Sequence, residues 1–212
     1  DCGETICGEF LGSVMEKAVK MGESNACMKR IVAAPTAGSC GVVPAVFLTL
    51  EEEKHFSEEK MVEALYVAAG IGGVIANRAF LAGAAGGCQA EIGSASAMAA
   101  GGVAYLMGGD AVQISHAAAL ALKNLLGLAC DPVAGLVEVP CVKRNVMGAV
   151  NAMTSSDMVM AGITSKIPPD EVIDAMRAIG RSMSEDIRET GKGGLAGTPT
   201  GVAIRERMAG TL

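Results

Sequence analysis

Three cysteines sit where the chain is least able to be helical. Cys88 lies in GAAGGCQAEIG, Cys130 in GLACDPVAG and Cys141 in VEVPCVKRN, each beside Gly or Pro. There side chains are released from helix packing. A thiolate is both a nucleophile and a soft metal ligand, so three in loops could hold a metal. Their spacing, 42 residues and then 11, is not one of the usual ferredoxin arrangements. Free Cys is also among the most buried residue types, and small buried hydrophobes remain the ordinary alternative. Cys2 and Cys7 lie near a frayable terminus, Cys27 at a helix-to-loop edge, and Cys40 reads as packing.

Other chemistry is thinly represented. There is no GxSxG, P-loop, HExxH or dinucleotide fingerprint following a strand, and no lysine in a setting that suggests a Schiff base. The two histidines, His55 and His116, cannot supply a His₃ zinc site. His55, in EEEKHFSEEK, reads as an exposed turn residue, and His116, in ISHAAALAL, as a satisfied core histidine. PTAGSCG is a second candidate. Such a turn aims backbone N–H groups into a concavity suited to a carboxylate, and the Thr36 and Ser39 hydroxyls add donors; a plain connecting loop is the alternative. Asp131 reads as a turn or capping residue. Glu91 lies either near the thiols or at a cap of the next helix, with the cap favoured. Arg144 and Asn145 read equally as groups orienting the Cys141 loop or as the first turn of a solvated helix.

The elements that must position these groups are helices. Of 212 residues, 50% are hydrophobic but 3% aromatic, with no Trp, 13 Met and 28 Gly, so the core is built from small aliphatic residues and Met. Apolar spacing predicts helices over Phe10–Met21, with Gly22 as C-cap, over Val42–Leu50, and from a Ser57 cap through Asn77. Further helices are predicted over Gln113–Leu126, Arg144–Ala161 and the IPPDEVIDAMRAIGRSM stretch. Ile92–Gly109 is uncharged, but it is rich in Ala, Gly and Ser and shorter than the roughly 20 apolar residues of a membrane span. It reads as a buried central helix. The segment from Glu189, ETGKGGLAGTPTG, is too Gly-rich for regular structure, and strand signals are weak throughout.

The expectation is an all-α fold. One compact helical domain over residues 1–212 surrounds an Ala/Gly-rich helix, with long Gly/Pro-rich loops and a Gly-rich tail from about residue 189. The net charge of −6 and pI near 5.0 argue against a nucleic-acid partner. Seven cysteines in a chain this long suit reduced thiols in the cytoplasm better than a disulfide framework. No secretory pattern is visible, and a start at Asp1 points to a fragment or processed form.

Four segments carry a resemblance. APTAGSCGVVPAVF, GAAGGCQAEIGSASAMAA, LGLACDPVAGLVEVPCVKRN and ETGKGGLAGTPTG, in order from about residue 10 to the C-terminus, resemble signature segments of the α chain of bacterial iron–sulfur L-serine dehydratases. The resemblance implies an all-helical α domain with an oxygen-sensitive [4Fe–4S] cluster held by Cys88, Cys130 and Cys141. It implies no pyridoxal cofactor and conversion of L-serine to pyruvate and ammonia, with the iron that lacks a protein thiolate acting as Lewis acid. It tips PTAGSCG toward binding the substrate carboxylate through Thr36, Ala37, Gly38 and Ser39. In that family a smaller β portion supplies a serine- and histidine-bearing segment, absent here, so the general base is expected on a separate β chain in a cytoplasmic hetero-oligomer. Rival readings are an L-cysteine desulfidase on the same scaffold, a non-catalytic iron–sulfur redox or sensor module, and a metal-free helical scaffold.

Overall fold

The computed structural model describes residues 6–210; Cys2 lies outside them. The described chain runs through α1 (Gly8–Ala26), α2 (Val42–Lys54), α3 (Glu58–Arg78), the single turn α4 (Gly83–Gly86), α5 (Ser94–Leu106), α6 (Ala111–Lys123), α7 (Cys141–Met160), α8 (Pro169–Ser182) and α9 (Pro199–Ala209). No strand occurs among the described residues. The protein is all-α, as its apolar spacing predicts, and no described helix is long and apolar enough to cross a membrane.

α5 is the axis of the fold. Every residue from Ser94 through Ala104 is buried, and α2, α3, α6 and α7 pack around it. Its glycines explain how: a methyl group at Gly101 would overlap Ile71, and one at Gly102 would overlap the Phe47 ring. Neighbouring side chains occupy the space a Cβ needs, so backbones approach closely. Most polar groups buried at this depth are hydrogen-bonded, and several here bond across helices. The Ser96 hydroxyl donates to the Gly148 carbonyl at 2.7 Å, Asn151 Nδ2 donates to Ser96 Oγ at 2.8 Å, and Ser156 donates to the Ala100 carbonyl at 2.7 Å. Ser156, which interrupts the apolar pattern of α7, thus bolts it to α5, while the hydroxyl of the neighbouring buried Ser155 has no hydrogen-bond partner among the described residues.

Helix boundaries follow local chemistry. Ser57 Oγ accepts from the Lys60 amide at 3.3 Å, and Asp110 forms a capping box with Gln113. Two expectations fail. α1 does not stop at Gly22 but continues to Ala26. Gly22 is buried, and a Cβ there would stand 3.2 Å from the Val142 Cα, so it lets α7 approach rather than capping α1. The Gly-rich tail is also more regular than its composition suggests. The Thr198 hydroxyl accepts from the Gly201 amide at 3.1 Å and Pro199 opens α9, a helix start its Gly-rich flank disguised.

Candidate functional site

The site forms where three irregular segments meet the start of α7. Cys88 is the residue before a π-helical turn, Gln89–Gly93, that leads into α5. Such turns are rare and frequently mark functional sites. The buried Gln89 side chain fixes this corner: its Nε2 donates to the Gly86 and Met176 carbonyls at 2.9 and 3.1 Å, and its Oε1 accepts from the Gly127 amide at 2.9 Å. Cys130 lies across from it. Its amide donates to the Ile187 carbonyl and its carbonyl accepts from the Glu189 amide, at 2.8 and 2.7 Å. The tail therefore grips the Cys130 backbone. Cys141 is the first residue of α7, after a cis Val139–Pro140 peptide.

All three thiols are buried, as is Cys40, whereas Cys7 and Cys27 are exposed. The Cys130 thiol donates to the Cys88 sulfur, which holds the Cys88 thiol below its usual range; the Arg144 guanidinium assists, against burial and the Glu91 charge. The same contact pushes Cys130 upward, reinforced by burial. Burial, then the Cys88 and Glu91 charges, push Cys141 up to about 12. Cys40 stands apart: burial raises it to about 11, and its thiol lies 3.7 Å from the Met21 carbonyl, in line with a packing role.

Cys130 and Cys141 line one cavity of about 360 Å³. Its wall also includes Ala37 and Gly38 from the PTAGSCG turn and three carboxylates, Glu91, Glu138 and Glu189, with no Lys, Arg or His. Glu91 is not a helix cap. Burial and the Glu189 charge push its carboxyl upward, while hydrogen bonds from the Thr36 hydroxyl and the Gly83 amide oppose them. It sits between the turn and the thiols, a placement only the tertiary fold creates.

The turn is built to leave amides free. The Thr36 and Ser39 hydroxyls lie 3.1 Å apart, and the Thr36 amide donates to Ser39 Oγ at 3.3 Å. The Cys40 amide donates to the Ala37 carbonyl and the Gly41 amide to Asn145 Oδ1. The amides of Ala37, Gly38 and Ser39 make no hydrogen bond among the described residues. Ser39 is fully buried and its hydroxyl bonds within the turn, which it braces. Ala37 and Gly38 line the cavity.

Arg144 and Asn145 lie in the first turn of α7, but both serve the site. Arg144 Nη1 donates to the Ala129 carbonyl at 2.8 Å and pairs with Asp131 Oδ1 at 2.8 Å. Asp131 is therefore more than a turn residue. It is 4% exposed, and its Oδ2 accepts from the Leu195 amide at 2.7 Å, tying the tail to the Cys130 loop. Asn145 is 1% exposed and bonds the PTAGSCG turn at the Gly38 carbonyl and Gly41 amide, both at 2.8 Å. The histidines are elsewhere: His55 is exposed at the end of α2, and His116 Nδ1 accepts from the Ser165 amide at 3.3 Å.

The donor set bears on what metal group fits. Among the described residues, no group of three or more His, Cys, Asp and Glu is arranged to hold a single ion. Two buried thiols on one cavity wall, with the buried Cys88 against one of them, suit a polynuclear cluster instead, in which each thiolate takes its own iron.

Comparison with known proteins follows this geometry. The model of the serine dehydratase alpha chain family matches residues 2–196. The chain is 53% identical over 208 residues to a probable L-serine dehydratase, alpha chain, of Bacillus subtilis (strain 168), covering 98% of this chain and 69% of that one. It is 52% identical over 202 residues to a protein of the same name from Latilactobacillus sakei, covering 95% and 97%. The L-serine dehydratase TdcG of Escherichia coli (strain K12) is 41% identical over 181 residues, which span 84% of this chain but 40% of that protein.

Proposed function

The chain belongs to the serine dehydratase alpha chain family, and from that premise we propose that it eliminates water from L-serine to give an aminoacrylate, which tautomerises and takes up water to release pyruvate and ammonia. Cys88, Cys130 and Cys141 would hold a [4Fe–4S] cluster. When bound, such a cluster supplies Lewis acidity toward the departing hydroxyl at the iron that no protein thiolate ligates. The observation that carries this reading is that two buried thiols, Cys130 and Cys141, line one cavity while a third buried thiol, Cys88, from a separate segment, lies against Cys130.

The chain's own residues do the recognition. The free amides of Ala37 and Gly38 at the cavity wall receive the substrate carboxylate, Ser39 braces the turn that presents them, and the Thr36 hydroxyl holds Glu91 beside them. The carboxylates of Glu91, Glu138 and Glu189, unopposed by any basic side chain in the cavity wall, suit the substrate ammonium. Arg144 fixes the Cys130 loop through Ala129 and Asp131. No histidine approaches the cavity, so the base that takes the α-proton comes from a β chain, and the working enzyme is a cytoplasmic hetero-oligomer. The family's longer members accord with this, since most of the Escherichia coli relative lies outside the match.

Anaerobic iron and sulfide analysis tests the ligand set. Replacing Cys88, Cys130 or Cys141 singly by Ser is expected to lower bound iron sharply, whereas Cys40→Ser retains it. Full iron in any of the three variants refutes the assignment. Pyruvate release from L-serine should need both chains, and preferential release from L-cysteine would turn the reading to a desulfidase. Iron that binds but leaves both amino acids untouched would favour a redox or sensor module.

A further inference from the structure

Asn145 is engaged on both sides of the site at once. Its Nδ2 donates to the Cys141 carbonyl, one helical turn back, at 2.9 Å and to the Gly38 carbonyl at 2.8 Å, while Oδ1 accepts from the Gly41 amide at 2.8 Å. The turn has no slack at that point. A Cβ at Gly41 would stand 2.7 Å from the Ala18 carbonyl oxygen and 3.0 Å from the Asn145 Cβ, so its backbone is wedged between α1 and α7. On its other edge the turn is held by Asn25, whose Nδ2 donates to the Ala37 carbonyl at 3.0 Å.

We propose that Asn145 is a positioning residue that couples the Cys141 end of the thiol set to the carboxylate-binding turn. Any shift of Cys141 on taking metal moves its carbonyl, the Asn145 amide bonded to it, and the turn bonded to both oxygen and nitrogen of that amide. Coupling of this kind is reciprocal. Ligand held at the turn therefore slows loss of metal from the thiols, and metal on the thiols tightens the turn's hold on a carboxylate. Asn25, which touches the turn but not Cys141, affects ligand affinity without taking part in the coupling. This inference rests on the proposed function, because it assumes metal on Cys141 and substrate carboxylate at the turn.

L-Alanine is the probe, since it carries the carboxylate and ammonium of serine but no hydroxyl. The readout is the rate at which a chelator strips iron from the assembled enzyme under anaerobic conditions, with and without saturating L-alanine. Wild-type enzyme is expected to lose iron at least about fivefold more slowly with the ligand, the lower end of typical coupling. In Asn145→Asp, which keeps the acceptor for Gly41 but loses both donated bonds, that ratio falls toward one and KM for serine rises more than kcat falls. Asn25→Ala raises KM but keeps the wild-type ratio. Should Asn145→Asp fail to assemble, Asn145→Ser serves, its hydroxyl being too short to span Gly38 and Gly41 together. A wild-type ratio near one, or a full ratio retained in the Asn145 variant, overturns the inference while serine turnover persists. A wild-type enzyme without iron or without pyruvate release overturns the proposed function instead.

Discussion

Asp131→Ala exposes how much the site depends on one buried ion pair. The Asp131 and Arg144 side chains are 6% and 16% exposed, and the carboxylate oxygens meet Arg144 Nη1 at 2.8 Å and the Leu195 amide at 2.7 Å. Removing the carboxylate leaves a largely buried guanidinium without its partner and an amide without its acceptor. Breaking such a pair costs about 3–5 kcal/mol. For a chain of this size each kcal/mol moves the melting temperature by roughly 2–4 °C, so about 6–20 °C is at stake. Urea and thermal unfolding of the reduced, iron-free chain, followed by circular dichroism, measure it without a contribution from metal affinity. Asp131→Asn keeps an acceptor for Leu195 and loses only the charge, so it should fall between wild type and Asp131→Ala. Pairing Asp131→Ala with Arg144→Met removes both charges, and the double variant should be more stable than the sum of the two losses by up to about 3 kcal/mol. An Asp131→Ala loss of about 1 kcal/mol or less, as for an exposed cap or surface pair, or strict additivity in the double variant, would refute the reasoning.

Three other outcomes are expected. Glu91→Gln keeps the shape of the side chain but loses its charge at the cavity; a charged hydrogen bond contributes about 1.5–3 kcal/mol, so KM for L-serine should rise at least about tenfold, and an unchanged KM in a pyruvate-release assay counts against ammonium binding there. Gly102→Val drives a side chain into the Phe47 ring and toward the Ala64 carbonyl, which should cost about 1–3 kcal/mol in urea unfolding. Gly70→Ala, on the exposed side of α3 where an added Cβ meets open space, should stabilise by up to about 1 kcal/mol, and any loss there would mean that something packs against that face.

The division between sequence and tertiary structure falls along the range of the forces involved. Helix type and order were legible because apolar spacing, the Ser57 cap and the Pro168–Pro169 start act within a turn or two of chain; the Asp110 capping box, which starts α6 two residues before the predicted Gln113, was not. The thiol and PTAGSCG segments were legible as chemistry because loops rich in Gly and Pro free both side chains and amides. Gly22 was misjudged because a helix-ending glycine and a close-packing one look alike until Val142, distant in sequence, is brought against it. The carboxylates were misjudged for the same reason. Nothing near Glu91 or Asp131 in the chain announces that Thr36 and Gly83 will bond the one, or that Leu195 will bond the other. Local rules fix where a helix begins and ends; the burial of a charge, the contact of Cys88 with Cys130 and the span of Asn145 from Cys141 to Gly38 exist only when segments as far as 107 residues apart pack together.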